Sequence, residues 1–218
     1  MIKLVIFDLD GTLLDTRVDI ARGCNHALKA CGYPEHETDD FNRMVGRGIY
    51  NMLLDAMPED CRSEAKLEAM VKHFIPYYHE HIADYTVPYP GIIDLLERLS
   101  EAGIRTAVAS NKYQAGTEAL IEKFFGEYEF LKVLGQREGY PIKPDPAVVL
   151  EIMEAMPGLK KEEVVYCGDS DVDMQTGNNA GVRTIGVTWG FRSREELLAN
   201  NPWLLADKVE DILSAVLK

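Results

Sequence analysis

Residues 5–15 read VIFDLDGTLLD. The apolar run that begins at Leu4 is typical of a short, fully buried strand, and it stops at Asp8 and Asp10. Because one residue separates the two aspartates, both side chains point to the same side of an extended backbone. Two such charges about 4 Å apart repel each other by about 4 kcal/mol at an effective dielectric near 20. The stretch therefore predicts that a positive partner lies close to both carboxylates.

The rest of the chain alternates between short β-branched runs and helical periodicities. The predicted strands are residues 3–7, 105–110, 130–134, 163–167 and 184–188, and the predicted helices are residues 91–102, 114–125, 145–156, 173–180 and 207–217. Such alternation, with nearly continuous apolar strands, indicates a parallel sheet covered by helices on both faces. The sequence predicts an α/β fold with a Rossmann-like parallel sheet core.

One segment departs from this alternation. Residues 16–85 show helical periodicity only, which predicts an all-helical insertion after the first strand. We expect Pro76 to kink or end the last of its helices. The predicted division is an α/β core domain of residues 1–15 and 86–218, and an inserted helical domain of residues 16–85.

The composition excludes several classes of partner. The 218 residues carry a formal net charge of -13, which argues against nucleic acid or an anionic membrane as the main partner. It does not argue against a small anionic substrate, because a bound cation inverts the local charge. The four cysteines lack metal-site spacing and predict free, buried or half-buried thiols. No signal peptide or membrane span is recognised, so we expect a cytoplasmic protein, with monomer and homodimer both open.

Polar clusters follow three of the predicted strands. The carboxyl ends of parallel strands share one edge of a sheet, where ligands bind, so these side chains are expected to meet. A lysine in the proline-containing loop YPIKPDP, residues 140–146, adds a fourth cluster. The candidates are Asp8 and Asp10, Ser110 and Asn111, Lys143, and Asp169 with Asp173.

If Asp8, Asp10 and Asp169 meet, either one carboxylate carries a proton or a divalent cation lies among them. An all-oxygen ligand set, without Cys or His nearby, suits Mg²⁺. Taken singly, Asp10 or Thr12 can be a helix N-cap and Lys143 a solvated surface lysine. The order of the four clusters along an α/β pattern favours a shared catalytic site over these separate structural roles.

This set of residue types indicates phosphoryl transfer. A carboxylate on Mg²⁺, with a second carboxylate two residues later, can act as a nucleophile beside a general acid/base. Hydroxyl, amide and ammonium groups from Ser110, Asn111 and Lys143 can donate to the oxygens of a phosphoryl group. Phosphoryl transfer depends mainly on positioning and charge neutralisation, and this set supplies both.

The motifs DLDGT (8–12), ASN (109–111), IKPDP (142–146) and GDSDVD (168–173) resemble, in order and spacing, those of the haloacid dehalogenase-like superfamily. The resemblance covers nearly the whole chain. It implies that Asp8 is a nucleophile that becomes an aspartyl-phosphate and that Asp10 is the acid/base. It also implies that Thr12 supports both aspartates, that Ser110 and Asn111 bind the phosphoryl group, and that Lys143 orients Asp8. The implied ligands of Mg²⁺ are Asp8, the Asp10 backbone carbonyl and Asp169, with Asp173 close behind.

Two details narrow the branch that the chain resembles. Dehalogenases of the superfamily lack the second aspartate, so Asp10 favours a phosphatase or a phosphomutase. The insertion resembles the mobile cap of one subgroup, and lid closure of this kind excludes water; we call residues 16–85 the cap. Within it, Arg47 between Gly46 and Gly48 either meets a substrate carboxylate or is solvated.

The stretches DLDGTLLDTRVDIARGCNHAL, MVGRGI and GVTWGF are similar to those of the superfamily's phosphoglycolate phosphatases. The resemblance implies a Mg²⁺-dependent phosphatase for a small phosphorylated metabolite, with 2-phosphoglycolate as the expected substrate. A phosphomutase of the β-phosphoglucomutase type and a pyrophosphatase are alternatives on the same core. A non-enzymatic phosphoacceptor module of receiver type is a remote alternative, against which the cap and Asp10 argue.

Overall fold

Six parallel strands form the central sheet of the computed structural model, which describes residues 1–217. In chain order the strands are β1 (Leu4–Phe7), β2 (Leu14–Asp15), β3 (Val87–Pro88), β4 (Arg105–Tyr113), β5 (Phe130–Gln136), β6 (Val164–Gly168), β7 (Arg183–Val187) and β8 (Leu204–Ala206). The sheet order is β5-β4-β1-β6-β7-β8, and β2 and β3 form a separate antiparallel pair. Strand β1 therefore lies inside the sheet, between β4 and β6.

Within residues 1–217, ten α-helices surround or extend from this sheet. They are α1 (Arg17–Ala30), α2 (Phe41–Met44), α3 (Ile49–Ala56), α4 (Glu64–Glu80), α5 (Ile92–Glu101), α6 (Gln114–Phe125), α7 (Ala147–Glu154), α8 (Asp171–Ala180), α9 (Arg194–Leu198) and α10 (Val209–Val216). Short 3-10 turns occur at Thr38–Asp40, Glu59–Cys61 and Lys161–Glu163. Within residues 1–217, no helix has the length and apolarity needed to cross a lipid bilayer.

The alternation of side chains along β1 explains the layered core. Val5 and Phe7 point to one face of the sheet and pack with apolar residues of α5, α6 and α10. Leu4 and Ile6 point to the other face and pack with residues of α7 and α8. All four side chains are fully buried. The predicted α/β fold with a Rossmann-like parallel sheet is confirmed.

The cap is built around the contact between α1 and α4. A Cβ at Gly23 would lie only 3.0 Å from the ring of Phe74, so the glycine permits the close approach of the two helices. His26 stacks on Tyr77 with ring centroids 4.0 Å apart. Pro76 lies inside α4, which continues to Glu80, so the proline does not end the helix. Burial of the Tyr78 side chain stabilises the turn that follows the proline.

The structure also contains elements that the sequence did not predict. The short strand β8, helix α9 and the β2–β3 pair were absent from the predicted set, because two to five residues carry too little periodicity to be recognised. All four cysteines are free thiols, two buried and two half-buried, as expected. The division of the chain at residues 15/16 and 85/86 stays a prediction.

Asp19 holds together the two places where the chain leaves and rejoins the sheet region. Its carboxylate is buried on α1, near the β2–β3 pair. One oxygen accepts hydrogen bonds from the backbone N–H of Tyr85 (2.9 Å), the backbone N–H of Thr86 (2.8 Å) and the hydroxyl of Thr86 (2.8 Å). This carboxylate fixes the start of the cap to its end.

Replacing Asp19 by Ala is expected to reduce the free energy of unfolding by about 3 kcal/mol, because it leaves these buried donors without an acceptor. Urea unfolding followed by circular dichroism measures the change. Asp55→Ala is the matched control: this aspartate is exposed on α3, and its removal is expected to change the free energy by less than about 0.5 kcal/mol. Equal stabilities of the two variants would show that the Asp19 contacts are dispensable.

Candidate active site

The predicted site residues converge at the carboxyl ends of the central strands. Asp8 follows β1, Asp169 follows β6, and Lys143 lies in the loop between β5 and α7. Their neighbours at the same edge are Asp10, Thr12, Ser110, Asn111 and Asp173, and every member of this group is buried. This is the convergence that the strand-end pattern predicted.

Lys143 is a positive partner for the first carboxylate. Its ammonium nitrogen lies 2.9 Å from Asp8 Oδ1 and 2.7 Å from Asp173 Oδ1. It also donates to the hydroxyl of Tyr166 at 3.0 Å and to the carbonyl of Ala109 at 3.1 Å. Burial disfavours the charged ammonium, but the two carboxylates outweigh it and raise the pKa of Lys143 well above its usual value. The lysine is held charged between the aspartates.

One lysine does not balance the negative charge at this edge of the sheet. Burial, followed by the charge of Asp173, raises the pKa of Asp8 to about 7. Burial and the charges of Asp173 and Asp8 also raise the pKa of Asp169 well above its usual value. One carboxylate oxygen from each of these three aspartates lies within 4.8 Å of the other two. Burial is the larger cause of both shifts, and the charges of the neighbouring carboxylates add to it; a divalent cation would relieve that repulsion.

Other features of the group also fit a hard divalent cation. Within residues 1–217, Asp8 Oδ1 is buried and accepts no aligned hydrogen bond, although the Lys143 ammonium is close enough for an ion pair. All three ligand candidates offer oxygen, the atom that Mg²⁺ prefers. The residues present therefore fit the expected ion.

Gly11 and Thr12 shape the position of Asp169. Gly11 has a φ of 83°, and a Cβ there would collide with the Asp169 carboxylate, so only glycine fits at this turn. Thr12 donates from its hydroxyl to Asp169 Oδ1 at 3.2 Å. The backbone N–H of Phe191 donates to Asp169 Oδ2 at 2.7 Å. The structure thus places Thr12 against a metal-ligand candidate.

Asp173 is fixed by the start of helix α8. Ser170 caps the helix and its hydroxyl lies 2.5 Å from Asp173 Oδ2, which also accepts from the Ser170 backbone N–H at 3.0 Å. The other oxygen accepts from Lys143 and, at 3.2 Å, from Tyr166. Both oxygens of Asp173 are already engaged, which places it behind Asp8 as the orienting partner of the lysine.

Ser110 and Asn111 lie near the end of β4 and face the same region. The Ser110 hydroxyl accepts from the backbone N–H of Lys112 at 3.2 Å. The Asn111 amide accepts from the backbone N–H of Lys143 at 2.9 Å and donates to its carbonyl at 3.1 Å. It also donates to the carbonyl of Gly46 in the cap at 2.9 Å. Asn111 therefore connects the lysine loop to the cap.

Lys112 and Tyr78 are functional candidates that the sequence did not single out. The Lys112 ammonium lies 3.0 Å from Asp10 Oδ1 and donates to the Tyr78 hydroxyl at 2.7 Å. Lys112 immediately follows the ASN motif in a buried strand, and this position was the available signal for it. Tyr78 is on cap helix α4, and no feature of the sequence alone connects it to Asp10.

Arg47 lies outside the group described so far. Its side chain is about half exposed and its guanidinium lies 3.5 Å from Asp171 Oδ2. Arg192, which is buried, contacts the other oxygen of Asp171 at 3.6 Å. Arg192 also donates to the cap carbonyls of Asn42, Arg43 and Val45. Both arginines therefore connect the core to the cap in this structure.

A cavity of about 40 Å³ separates the cap from the core at Asp8 and Asp10. That volume accommodates a few water molecules. The core contributes Ser110, Asn111, Lys112 and Tyr113 to its lining, and the cap contributes Ile20, Val45, Gly46, Gly48, Ile49, Met52, Phe74 and Tyr78. The two candidate carboxylates thus open onto a small, mostly apolar cavity.

Comparison with known proteins agrees with this geometry. The family model described as "Haloacid dehalogenase-like hydrolase" matches residues 5–187. A protein named phosphoglycolate phosphatase from Agrobacterium fabrum is 35% identical over 191 residues, covering 86% of this chain and 81% of its own. A protein of the same name from Mesorhizobium japonicum is 33% identical over 193 residues, covering 88% and 85%.

A solved structure extends the agreement to the fold. A Lactobacillus delbrueckii subsp. bulgaricus protein, described provisionally as a phosphoglycolate phosphatase, superposes with a TM-score of 0.91. It is 30% identical to this chain, and the alignment covers 98% of each. The family match spans most of the chain and includes all four motifs, residues 8–12, 109–111, 142–146 and 168–173. The chain belongs to the haloacid dehalogenase-like hydrolases.

Proposed function

We propose that this protein is a Mg²⁺-dependent phosphatase that hydrolyses a small phosphate monoester through an aspartyl-phosphate on Asp8. The best substrate candidate is 2-phosphoglycolate, which gives its name to the relatives from Agrobacterium fabrum and Mesorhizobium japonicum. The observation that carries the proposal is the pair of carboxylates that open onto one cavity with separate partners, Asp8 on Lys143 and Asp10 on Lys112.

In the first step, a carboxylate oxygen of Asp8 attacks the phosphorus atom while the bond from phosphorus to the leaving oxygen breaks. Asp10 gives its proton to the leaving oxygen, so the product departs as an alcohol. Lys143 holds the Asp8 carboxylate in place and offsets the charge on the phosphoryl oxygens. The Ser110 hydroxyl, which also lines the cavity, donates to these oxygens. Asn111 lies beside it and holds the Lys143 loop and Gly46 in place through its side-chain amide.

In the second step, Asp10, now a carboxylate, takes a proton from a water molecule that attacks the phosphorus atom. The bond from phosphorus to Asp8 breaks, inorganic phosphate is released and the Asp8 carboxylate is restored. Asp10 ends the cycle protonated, as it began, because the proton given to the leaving group is replaced by one from water. Lys112, 3.0 Å from Asp10, orients this group for both transfers.

Asp8, the backbone carbonyl of Asp10 and Asp169 are proposed to hold the magnesium ion, with Asp173 directly behind them. When bound, Mg²⁺ neutralises the clustered carboxylates and withdraws charge from the phosphoryl oxygens. Thr12 and the Phe191 backbone orient Asp169 toward the ion.

The cavity favours a small substrate over a sugar phosphate. A hexose carries several hydroxyl groups, each of which needs a hydrogen-bond partner when buried. Most of the side chains that the cap contributes to the lining cannot form such bonds: Ile20, Val45, Ile49, Met52 and Phe74. The one cap hydroxyl in the lining, that of Tyr78, already accepts a hydrogen bond from Lys112. This supports a phosphatase for a short metabolite over a phosphomutase of the β-phosphoglucomutase type.

Asp8→Asn is expected to lower kcat for release of phosphate from p-nitrophenyl phosphate at least about 1000-fold, because the amide is a poor nucleophile. Asp94→Asn is the matched control, since this aspartate is largely exposed on α5, and we expect wild-type kcat from it. Activity of Asp8→Asn above one tenth of wild type would contradict the proposed nucleophile. A wild-type phosphoenzyme that persists without releasing phosphate would favour the mutase.

Asp10→Asn separates the two proton transfers. p-Nitrophenolate is a good leaving group and needs little protonation, so the Asp8 acyl-phosphate is still expected to form. Its hydrolysis is expected to slow at least about 100-fold without the base. Intact-protein mass spectrometry of the Asp10→Asn variant after a rapid acid quench is expected to show one added phosphoryl group, attached to Asp8. If turnover is slow and the adduct is absent, the proposal that Asp10 acts as the base in the second step is contradicted.

The raised pKa of Asp8 predicts how pH and Mg²⁺ affect stability together. The folded-state pKa of about 7 lies above the ordinary 3.8, so protonation of Asp8 stabilises the metal-free fold at low pH. That contribution is lost as the pH rises through about 7. Mg²⁺ competes with this proton, so its stabilising effect is expected to grow between pH 5 and pH 8.

Melting temperatures with EDTA and with Mg²⁺ at each pH provide the measurement. In Asp8→Asn the competing proton is absent, and the Mg²⁺-dependent rise in Tm is expected to be smaller and less dependent on pH. An equal rise in wild-type Tm at pH 5 and pH 8 would show that Asp8 does not compete for the ion.

A further inference from the structure

Within residues 1–217, one cationic side chain lines the cavity between core and cap. Among the residues that line it, Asp8 and Asp10 are acidic, Lys112 is basic, and the others are apolar or neutral. Lys143 contacts Asp8 but is not part of the lining. If a substrate in this cavity carries a negative charge in addition to its phosphoryl group, Lys112 is therefore the lining side chain that can pair with that charge.

Lys112 is held in a defined position. The ammonium group donates to the Tyr78 hydroxyl at 2.7 Å, lies 3.0 Å from Asp10 Oδ1, and is 4.7 Å from the centroid of the Tyr78 ring. Both residues are buried. An ammonium group has three N–H donors, and residues 1–217 provide hydrogen-bond or ion-pair partners for two of them. The third remains for a ligand.

The distance to Asp10 fixes which part of a substrate meets this ammonium group. Asp10 must reach the oxygen that leaves the phosphorus atom, so that oxygen lies beside Asp10. In a phosphorylated two-carbon acid the carboxylate is attached to the carbon that carries this oxygen. A carboxylate so close to the leaving oxygen falls within reach of Lys112, which is itself 3.0 Å from Asp10.

We infer that Lys112, positioned by the Tyr78 hydroxyl, binds the carboxylate of the leaving group and selects substrates that carry a second negative charge there. This inference rests on the proposed function and identifies the element that chooses the substrate. Removing a carboxylate from water into an apolar cavity is costly unless a charged partner compensates for it. Lys112 provides that partner.

Arg47 is the cap residue that the sequence indicated as a possible partner for a substrate carboxylate. Its guanidinium is exposed and lies 3.5 Å from Asp171, and it does not line the cavity. Lys112 is buried and lies next to Asp10, the residue proposed to protonate the leaving oxygen. The geometry therefore assigns recognition of the carboxylate to the core strand β4 together with helix α4.

A simpler role for Lys112 is orientation of Asp10 alone. That role predicts an equal loss of activity toward every phosphate ester when the lysine is replaced. Carboxylate binding predicts an additional loss that appears only with the acid. The two roles separate when 2-phosphoglycolate is compared with its amide, which has the same shape and no second charge.

The first measurement uses the wild-type protein with Mg²⁺ and compares kcat/KM for the acid and the amide. We expect the acid to be preferred roughly 10- to 100-fold, the range of a charge-assisted hydrogen bond. Equal values would overturn the inference and leave the phosphatase proposal intact, whereas no hydrolysis of any ester would contradict the phosphatase proposal. This comparison needs no substituted protein.

The second measurement compares Lys112→Met and Arg47→Met. Met keeps most of the length of either side chain and removes its charge. Lys112→Met is expected to reduce the preference for the acid to about threefold or less, while Arg47→Met keeps the wild-type preference. Equal losses for both substrates in Lys112→Met, or a lost preference in Arg47→Met, would each overturn the inference.

The third measurement uses binding in place of turnover. Isothermal titration of 2-phosphoglycolate into Asp8→Asn with Mg²⁺ is compared with Asp8→Asn/Lys112→Met, and we expect the double variant to bind roughly 10-fold or more weakly. Equal affinities would overturn the inference. If Lys112→Met does not fold, Lys112→Arg replaces it: the retained charge is expected to keep the preference for the acid, and loss of that preference would count against charge recognition.

Discussion

Repulsion among carboxylates at the carboxyl end of β1 is the constraint on which the rest of the site depends. Asp8, Asp169 and Asp173 are buried with oxygens within 4.8 Å of one another. Lys143 relieves part of the repulsion through its contacts with Asp8 and Asp173. Burial and the remaining repulsion together raise the pKa values of Asp8 and Asp169. A proton on Asp8 or a bound divalent cation can relieve the rest of the repulsion, and the oxygen ligands of the cluster fit Mg²⁺.

The cap and the core build the cavity together. Asn111 on β4 donates to the carbonyl of Gly46, and Lys112 donates to the hydroxyl of Tyr78 on α4. Arg192 donates to three further cap carbonyls. Each of these donors belongs to the core and each acceptor to the cap. The arrangement couples the position of the cap to Lys143 and Lys112, the residues that contact Asp8 and Asp10.

The fold and the residues of the core motifs were predictable from the sequence for a physical reason. Strand periodicity is local, and the carboxyl ends of parallel strands must share an edge, so Asp8, Ser110 and Asp169 had to meet. Contacts across the cap were not predictable, because they depend on how α4 lies over β4. The hydrogen bond from the Lys112 ammonium group to the Tyr78 hydroxyl is such a contact. Arg47 illustrates the same limit, since its position between two glycines indicates exposure but not the partner, Asp171, that it has here.

The hold of Arg192 on the cap has an evolutionary consequence. Its acceptors are the main-chain carbonyls of Asn42, Arg43 and Val45, which every amino acid possesses. Side chains at these three positions can therefore diverge between related enzymes without weakening the contact. Arg192 can therefore keep this cap loop docked after its side chains change, and it does so alongside the contacts that Asn111 and Lys112 make with the cap.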